Sequence, residues 1–419
     1  MNRVYQIKEY GSFVCEKNIL GYVSLPQSTF LALEEFILTN QGMETDAVEL
    51  MGISVRKGIG KIITAKNYVG VIKMKDGTTI EILPKIYSEE DDDRGNKTKQ
   101  VLIQMLKTLR NTPYKTLQVS SVNMEKMNIL EIFIRMYIEE VFLIVKKGLK
   151  CSYDSIEQNE HFMRGKLNFS KHIRINYAHK ERTYVEYDVF TTNRPENRIL
   201  KSTLIYLYKN STSSKNRNDI KILLNSFGKI ELSKDYKKDF SKCVLDRNMK
   251  DYETAILWSK VFLTGKSFTS FCGTGVAFAL LFPMERLFES YVAARIRKEL
   301  GNKDYFISIQ DKRYHLFDEP DKKFLLKPDI VITKKLDKTC YIIDTKWKVL
   351  SEQKHNYGIS QADMYQMYAY QKKYVAEKVI LIYPKTEKMD TCQNLEFISE
   401  DGVKIEVKFV DLWVLSGGK

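Results

Sequence analysis

The stretch KPDIVITKKLDKTCYIIDTKWK (327–348) contains two β-rich runs, Ile330-Val331-Ile332 and Tyr341-Ile342-Ile343, joined through the polar Lys334–Lys338 segment. Two such runs around a short polar link predict an antiparallel hairpin. With Leu336 and Asp337 as a two-residue turn, residues whose numbers sum to 673 face each other. Asp329 then lies opposite Asp344, and the sheet's period of two puts Lys346 on the Asp344 face. Leu-Asp is a poor hairpin turn, and a slip by one residue would send the two acids to opposite faces.

Two carboxylates and an ammonium on one face of apolar strands are costly unless something compensates them. Facing carboxylates raise each other's pKa, whereas a divalent cation makes the pair favourable. Oxygen-only ligands with open positions suit Mg²⁺ or Mn²⁺, which activates water and stabilises charge on a phosphodiester. A lysine two residues beyond a ligand is placed to orient that water or neutralise the phosphate. The competing interpretation is a surface hairpin with cross-strand charge pairs. Pro328-Asp329, the apolar flanks and the helix upstream favour a metal-dependent nuclease.

On either side of the hairpin the pattern turns helical. PMERLFESYVAARIRKEL (283–300) has Pro283 at its first turn, with Glu285 and Glu289 four apart on one face. In SQADMYQMYAYQKKY (360–374), Asp363, Gln366 and Tyr370 form one helical stripe. Polar core packing is the alternative for that stripe, and a solvent-facing glutamate the alternative for Glu289. KVILIYPKT (378–386) reads as a buried strand. From about residue 277 the order is a long helix, three strands, a helix and two more strands.

Further out, the chain reads as an α+β multi-domain protein of 419 residues, enough for two or three domains. We expect a β-rich domain over 1–100, a basic, mixed and largely helical region over 101–275, and an α/β unit over 276–419. VGVIKMKDGTTIEILPKI (69–86) is a hairpin around Asp76-Gly77, and FLALEEFILTN (30–40) is a helix. SEEDDDRGNKTK (88–99), STSSKNRND (211–219) and SFTSFCGTG (267–275) read as loops or breaks. The formal charge is +14, and it is uneven: 13 Lys+Arg against 14 Asp+Glu over 1–100, 30 against 18 over 101–275, and 24 against 21 over 276–419. A basic middle points to a polyanionic partner.

Other classes fall away. No apolar run reaches membrane-spanning length, and the first residues carry no signal peptide, so a cytoplasmic chain is expected. Six scattered cysteines without a CxxC argue for reduced thiols rather than disulfides or structural zinc. Gly265-Lys266-Ser267 fails as a phosphate loop because Lys260 occupies the required first glycine. Gly60-Lys61 fails too, with Val55 and Ile62 at the key positions. This chain is expected to bind no nucleotide.

Pro328-Asp329 with Asp344-Thr345-Lys346 resembles the PD-(D/E)xK nuclease superfamily in its Asp variant. The resemblance implies a core of helix, antiparallel hairpin, second helix and strand, with a helix glutamate, here Glu289, completing the metal site. Gln366 and Tyr370 resemble its flanking helix motif, which positions DNA or the lysine. More narrowly, the Leu287-Phe288-Glu289 helix, PDIVI, IIDTKWK, the DxYQxxAY-like helix and LIYP look like McrC, the nuclease subunit of modification-dependent McrBC restriction systems, LlaJI-like relatives included. Val69–Ile72, Ile82–Lys85, Arg164-Gly165-Lys166 and Asn193–Arg198 are similar to upstream parts of that family.

That resemblance implies an Mg²⁺-dependent endonuclease acting on double-stranded DNA, methylated or not, with an McrB-like AAA+ GTPase ring as partner. It implies catalysis by Asp329, Asp344, Lys346 and Glu289, support from Gln366, Tyr370 and Asp363, and ring contacts by the N-terminal region. Arg164, Lys166, Arg174 and the basic residues of 201–250 are expected to follow the DNA backbone. The alternatives are a nuclease working alone or with a helicase on ends or branched DNA, and a non-catalytic activator of an NTPase.

Overall fold

The computed structural model describes residues 3–39, 50–86, 96–108, 127–243, 247–264, 276–301, 304–386 and 395–412. Most of the acidic stretch at 88–99, the Gly265-Lys266-Ser267 triplet and the break at 267–275 lie outside them. The protein is a mixed α/β, multi-domain chain. It folds as two compact units, the first made of Met1–Ile129 with Gly265–Lys419 and the second of Leu130–Thr264.

Short β-rich runs build the start of the first unit: β1 (Val4–Lys8), β2 (Ser12–Cys15), β3 (Tyr22–Leu25), β4 (Met51–Arg56), β5 (Gly60–Ala65), β6 (Tyr68–Met74) and β7 (Thr79–Leu83). Strands β3-β2-β5-β4 form one four-stranded sheet. Helix α1 (Gln27–Thr39) buries Phe30, Leu33, Phe36 and Ile37 in a core shared with Phe13, Ile63, Ile72 and Ile80. Strands β6 and β7 pair antiparallel around Asp76-Gly77 as expected, with Gly77 at φ 88° and Asp76 accepting from the Thr78 N–H at 2.7 Å. Helix α2 (Asn96–Thr108) follows.

The second unit opens with α3 (Ile129–Lys147) and a three-stranded antiparallel sheet of β8 (Ser152–Glu160), β9 (Lys166–Leu167) and β10 (Thr183–Thr191), with α4 (Phe169–Asn176) inserted between β9 and β10. Then come α5 (Pro195–Asn210), α6 (Ser214–Ser226), α7 (Tyr236–Lys242) and α8 (Lys250–Thr264). The polar 211–219 segment is therefore a helix start rather than a loop: Ser213 caps α6 by accepting from the Asn216 N–H. The Asn193–Arg198 motif is architectural here. Buried Asn197 donates to the Lys150 and Thr192 carbonyls and accepts from Tyr252. Arg198 pairs with Asp239 at 2.8 Å.

The chain then re-enters the first unit as β11 (Val276–Pro283), which pairs antiparallel with β6 and completes the sheet β1-β7-β6-β11. The helix expected at 283–300 is α9 (Met284–Leu300), with Pro283 at its N-cap position, but the apolar run just before it, where the helical unit was expected to open at about 277, is this strand. Next come β12 (Tyr305–Ile309), the small pair β13 (His315–Phe317) and β14 (Lys323–Leu325), β15 (Ile330–Lys334), β16 (Cys340–Thr345), α10 (Gln361–Tyr374), β17 (Lys378–Pro384), β18 (Leu395–Ile398) and β19 (Lys404–Val410). A six-stranded mixed sheet runs β12-β15-β16-β17-β19-β18. Val331, Ile342, Val379 and Leu381 bury one face of it together with Met367, Tyr370 and Tyr374 of α10.

Candidate active site

Strands β15 and β16 pair in the expected register: Ile330 faces Ile343, Val331 faces Ile342 and Thr333 faces Cys340. The turn differs. Lys334 N–H donates to the Thr339 carbonyl, leaving four residues, 335–338, in the loop instead of two. Asp337 accepts from the Thr339 N–H at 3.0 Å and from Lys334 Nζ at 3.1 Å, and Lys338 takes a left-handed conformation at φ 61°. The sum rule survives because lengthening the loop by one residue on each side preserves the pairing.

Asp329 and Asp344 therefore face each other at the open end of the hairpin. Asp329 Oδ2 accepts from the Thr345 N–H at 2.8 Å and the Thr345 hydroxyl at 2.7 Å. Burial holds Asp329 above the usual carboxylate range despite these donors. Asp344 is 2% exposed. Burial, and next the charge of Asp329, push it up to about 7. Lys346 Nζ lies 2.7 Å from Asp344 Oδ2 but off the line of an aligned hydrogen bond, so this buried oxygen has a counter-charge and no directed donor.

Lys346 continues beyond β16, its N–H donating to the Ile382 carbonyl at 2.9 Å. Burial disfavours its charge, but Asp344 and the other nearby acids outweigh that and hold the ammonium above its ordinary value. Helix α10 supplies its other partner: Lys346 Nζ donates to Gln366 Oε1 at 3.1 Å, and Gln366 Nε2 donates to the buried Tyr370 hydroxyl at 2.7 Å. Asp363, the first member of that stripe, is committed elsewhere, bound by Lys348 Nζ at 2.7 Å.

Glu289 points from α9 toward the same strand end. Burial, and then Asp329, push it up to about 7. Gln310, just beyond β12, donates through Nε2 to both Glu289 oxygens at 2.8 and 2.9 Å, and its N–H donates to the Asp329 carbonyl at 2.8 Å. Among the described residues no three His, Cys, Asp or Glu side chains are gathered as a metal cluster. The arrangement is a facing Asp pair, with Glu289 bound to the Gln310 amide.

What fits a divalent cation is the chemistry of that pair: hard oxygen donors, a buried carboxylate held near 7, and an oxygen lacking a directed donor. Thr345 and Gln310 were missed from sequence. Thr345 lies inside the IIDTKWK run, where a hydroxyl beside the acid is a readable signal; Gln310 sits in no pattern. Glu285, the alternative on α9, turns instead to Asn67, whose Nδ2 donates to it.

The predicted DNA contacts belong to the second unit. Arg164 and Lys166 are exposed between β8 and β10, and Arg174 is exposed in the last turn of α4. The Arg164 guanidinium lies 4.3 Å over the Tyr187 ring, and Lys166 pairs with Glu186 in the strand register. Lys201 is already tied to the Ile230 carbonyl.

Residues 63–384 match the family described as McrBC 5-methylcytosine restriction system component. No curated protein matches the chain. A chain of the half-complex from the tetradecameric assembly of Thermococcus gammatolerans McrB AAA+ hexamers with bound McrC superposes with a TM-score of 0.71 at 18% identity, over 97% of this chain and 94% of that one. A chain of the cryo-EM structure of the Thermococcus gammatolerans McrBC complex gives a TM-score of 0.51 at 18% identity, over 72% and 89%. At this identity the likeness is one of fold.

Proposed function

This chain belongs to the family of McrBC 5-methylcytosine restriction system components, and from that premise we propose that it is the Mg²⁺-dependent DNA endonuclease subunit of such a system. The observation that carries the proposal is the Asp329–Asp344 pair across the hairpin, with Lys346 Nζ 2.7 Å from Asp344 Oδ2. The order α9, hairpin, α10, β17 supports a PD-(D/E)xK nuclease core. Asp329 and Asp344, completed by Glu289, would hold Mg²⁺ or Mn²⁺. When bound, the cation supplies Lewis acidity, lowering the pKa of water and offsetting charge on the scissile phosphate.

The chain's own residues do the rest. Thr345 orients Asp329, and Gln310 orients Glu289. Lys346 remains charged, so it orients the attacking water or neutralises the phosphate as charge develops. Gln366, itself anchored on Tyr370, holds that ammonium in place.

Solved structures of similar fold contain McrB AAA+ hexamers with bound McrC, and on that likeness the partner is an McrB-like GTPase ring, engaged through the near-neutral N-terminal region. GTP hydrolysis then belongs to the ring, because none of the Gly-Lys pairs in this sequence meets the phosphate-loop pattern. Double-stranded DNA is the substrate, its backbone met by the basic middle region, and the cytoplasm is where such a system works. The test is cleavage of DNA by the chain with its ring partner, GTP and Mg²⁺. Asp344→Ala and Lys346→Ala are expected to abolish cleavage while leaving stimulation of GTP hydrolysis intact. Full cleavage by Asp344→Ala would refute the proposal.

A further inference from the structure

Trp347 directly follows Lys346 and is 4% exposed. Its indole N–H donates to both oxygens of Glu9, at 3.0 and 3.2 Å. Its ring packs 5.3 Å, centroid to centroid, from Phe288, the neighbour of Glu289. One side chain thus touches the segment of the lysine, the helix of the glutamate and the N-terminal sheet.

Glu9 follows β1 and is 4% exposed. Its N–H donates to the Leu83 carbonyl at 2.9 Å, and its Oε2 accepts from the Lys85 N–H at 3.1 Å, which fixes the carboxylate to the end of β7. Lys85 in turn lies 4.1 Å over the Tyr10 ring. Burial pushes Glu9 up to about 7, against the pull of Lys85 and Trp347. An apolar side chain here would leave the buried indole N–H and the Lys85 N–H without an acceptor, so the carboxylate contributes direction: it fixes the indole.

We propose that Glu9 is a positioning residue for DNA cleavage, fixing through Trp347 the segment that carries Lys346, so that the N-terminal sheet sets where the ammonium sits. The proposal rests on the role given to Lys346 above. A displacement of about 1 Å at a reacting group costs about a hundredfold in rate. Trp347 is one residue from that group, so losing its anchor acts on turnover rather than on DNA binding.

The experiment compares Glu9→Ala, Glu9→Gln and Trp347→Phe in the full chain, assembled with its ring partner, GTP, Mg²⁺ and DNA. Glu9→Ala and Trp347→Phe are each expected to lower kcat about tenfold or more, with KM for DNA little changed. Their double variant should lose no more than either single one. Glu9→Gln keeps a carbonyl that can serve both donors and should recover most of the rate. Additive losses, a parallel change in KM, or no rescue by glutamine would overturn the proposal. If Glu9→Ala fails to fold, Trp347→Phe, which keeps an aromatic ring, carries the comparison.

A second readout needs neither DNA nor cation. Lysine acylation followed by peptide mass spectrometry should label Lys346 several-fold faster in Glu9→Ala and Trp347→Phe, but not in Glu9→Gln; unchanged labelling overturns the coupling. Faster labelling alongside full cleavage by Lys346→Ala would instead sink the catalytic role of the lysine and leave the coupling standing.

Discussion

Asp344 is the residue on which the proposed chemistry turns, because its burial is unfavourable as the protein stands. A carboxylate held near 7 binds its proton more tightly in the folded chain than in the unfolded one. Its contribution to stability is therefore intact at low pH and lost as pH rises through about 7. A divalent cation would reverse that loss by adding positive charge to the one Lys346 already supplies, but it must first displace the proton. Mg²⁺ is thus expected to raise Tm by several degrees at pH 8, less at pH 5.5, and not at all in Asp344→Asn. At a hundredfold excess over Kd, binding adds about 2.7 kcal/mol. Differential scanning fluorimetry with and without EDTA checks this; an equal Mg²⁺ shift in Asp344→Asn would separate the cation from this carboxylate.

At the scale of elements, the hairpin supplies the acids and α10 steers the lysine. Helix α10 is capped at Ser360, whose hydroxyl accepts from the Asp363 N–H, and ends at Val375 in a left-handed conformation. Its buried residues Met367, Tyr370 and Tyr374 hold it against the sheet, so Gln366 reaches Lys346 from a rigid support. Tyr370→Phe keeps the packed ring and removes only the hydroxyl that anchors Gln366. We expect a stability cost of about 1 kcal/mol and a several-fold drop in kcat, read by denaturant titration beside cleavage kinetics. A rate equal to that of the unaltered protein would show that Gln366 needs no anchor. The hairpin register and the α10 stripe were legible in sequence because their period-two and period-3.6 side-chain patterns follow from local backbone geometry. The loop at 335–338 was not, since local bonds of Asp337 decide it. Nor was β11: its apolar run could have begun α9, and only pairing with β6, some two hundred residues upstream, makes it a strand. Gln310 was invisible for a related reason, since its two acid partners meet it only through tertiary contacts.

For the whole molecule, the charge gains meaning once it is counted along the fold. Residues 130–264 carry 25 Lys+Arg against 17 Asp+Glu, and the span 161–180, from just after β8 to just past α4, has five Lys+Arg, three His and no acidic residue. Exposed Phe162, Phe169 and Tyr177 are interleaved with those cations. Cations without base-reading geometry supply affinity by releasing counterions, and each phosphate contact removed lowers the salt slope of binding by about one. Lys166 faces Glu186 in the strand pair, so reversing its charge would set like charges opposite each other and disturb the sheet. Lys166→Gln is the clean variant there, and so is Arg164→Gln, since a carboxylate would sit badly over the Tyr187 ring, whereas exposed Arg174 can be reversed to Glu. Combined, the three changes should weaken binding to unrelated DNA duplexes by similar factors, and flatten log Kd against log salt by about two to three units of slope. Fluorescence anisotropy across a salt series measures both. A loss confined to one sequence would mean that these residues read bases, and no loss would assign the DNA path to another surface.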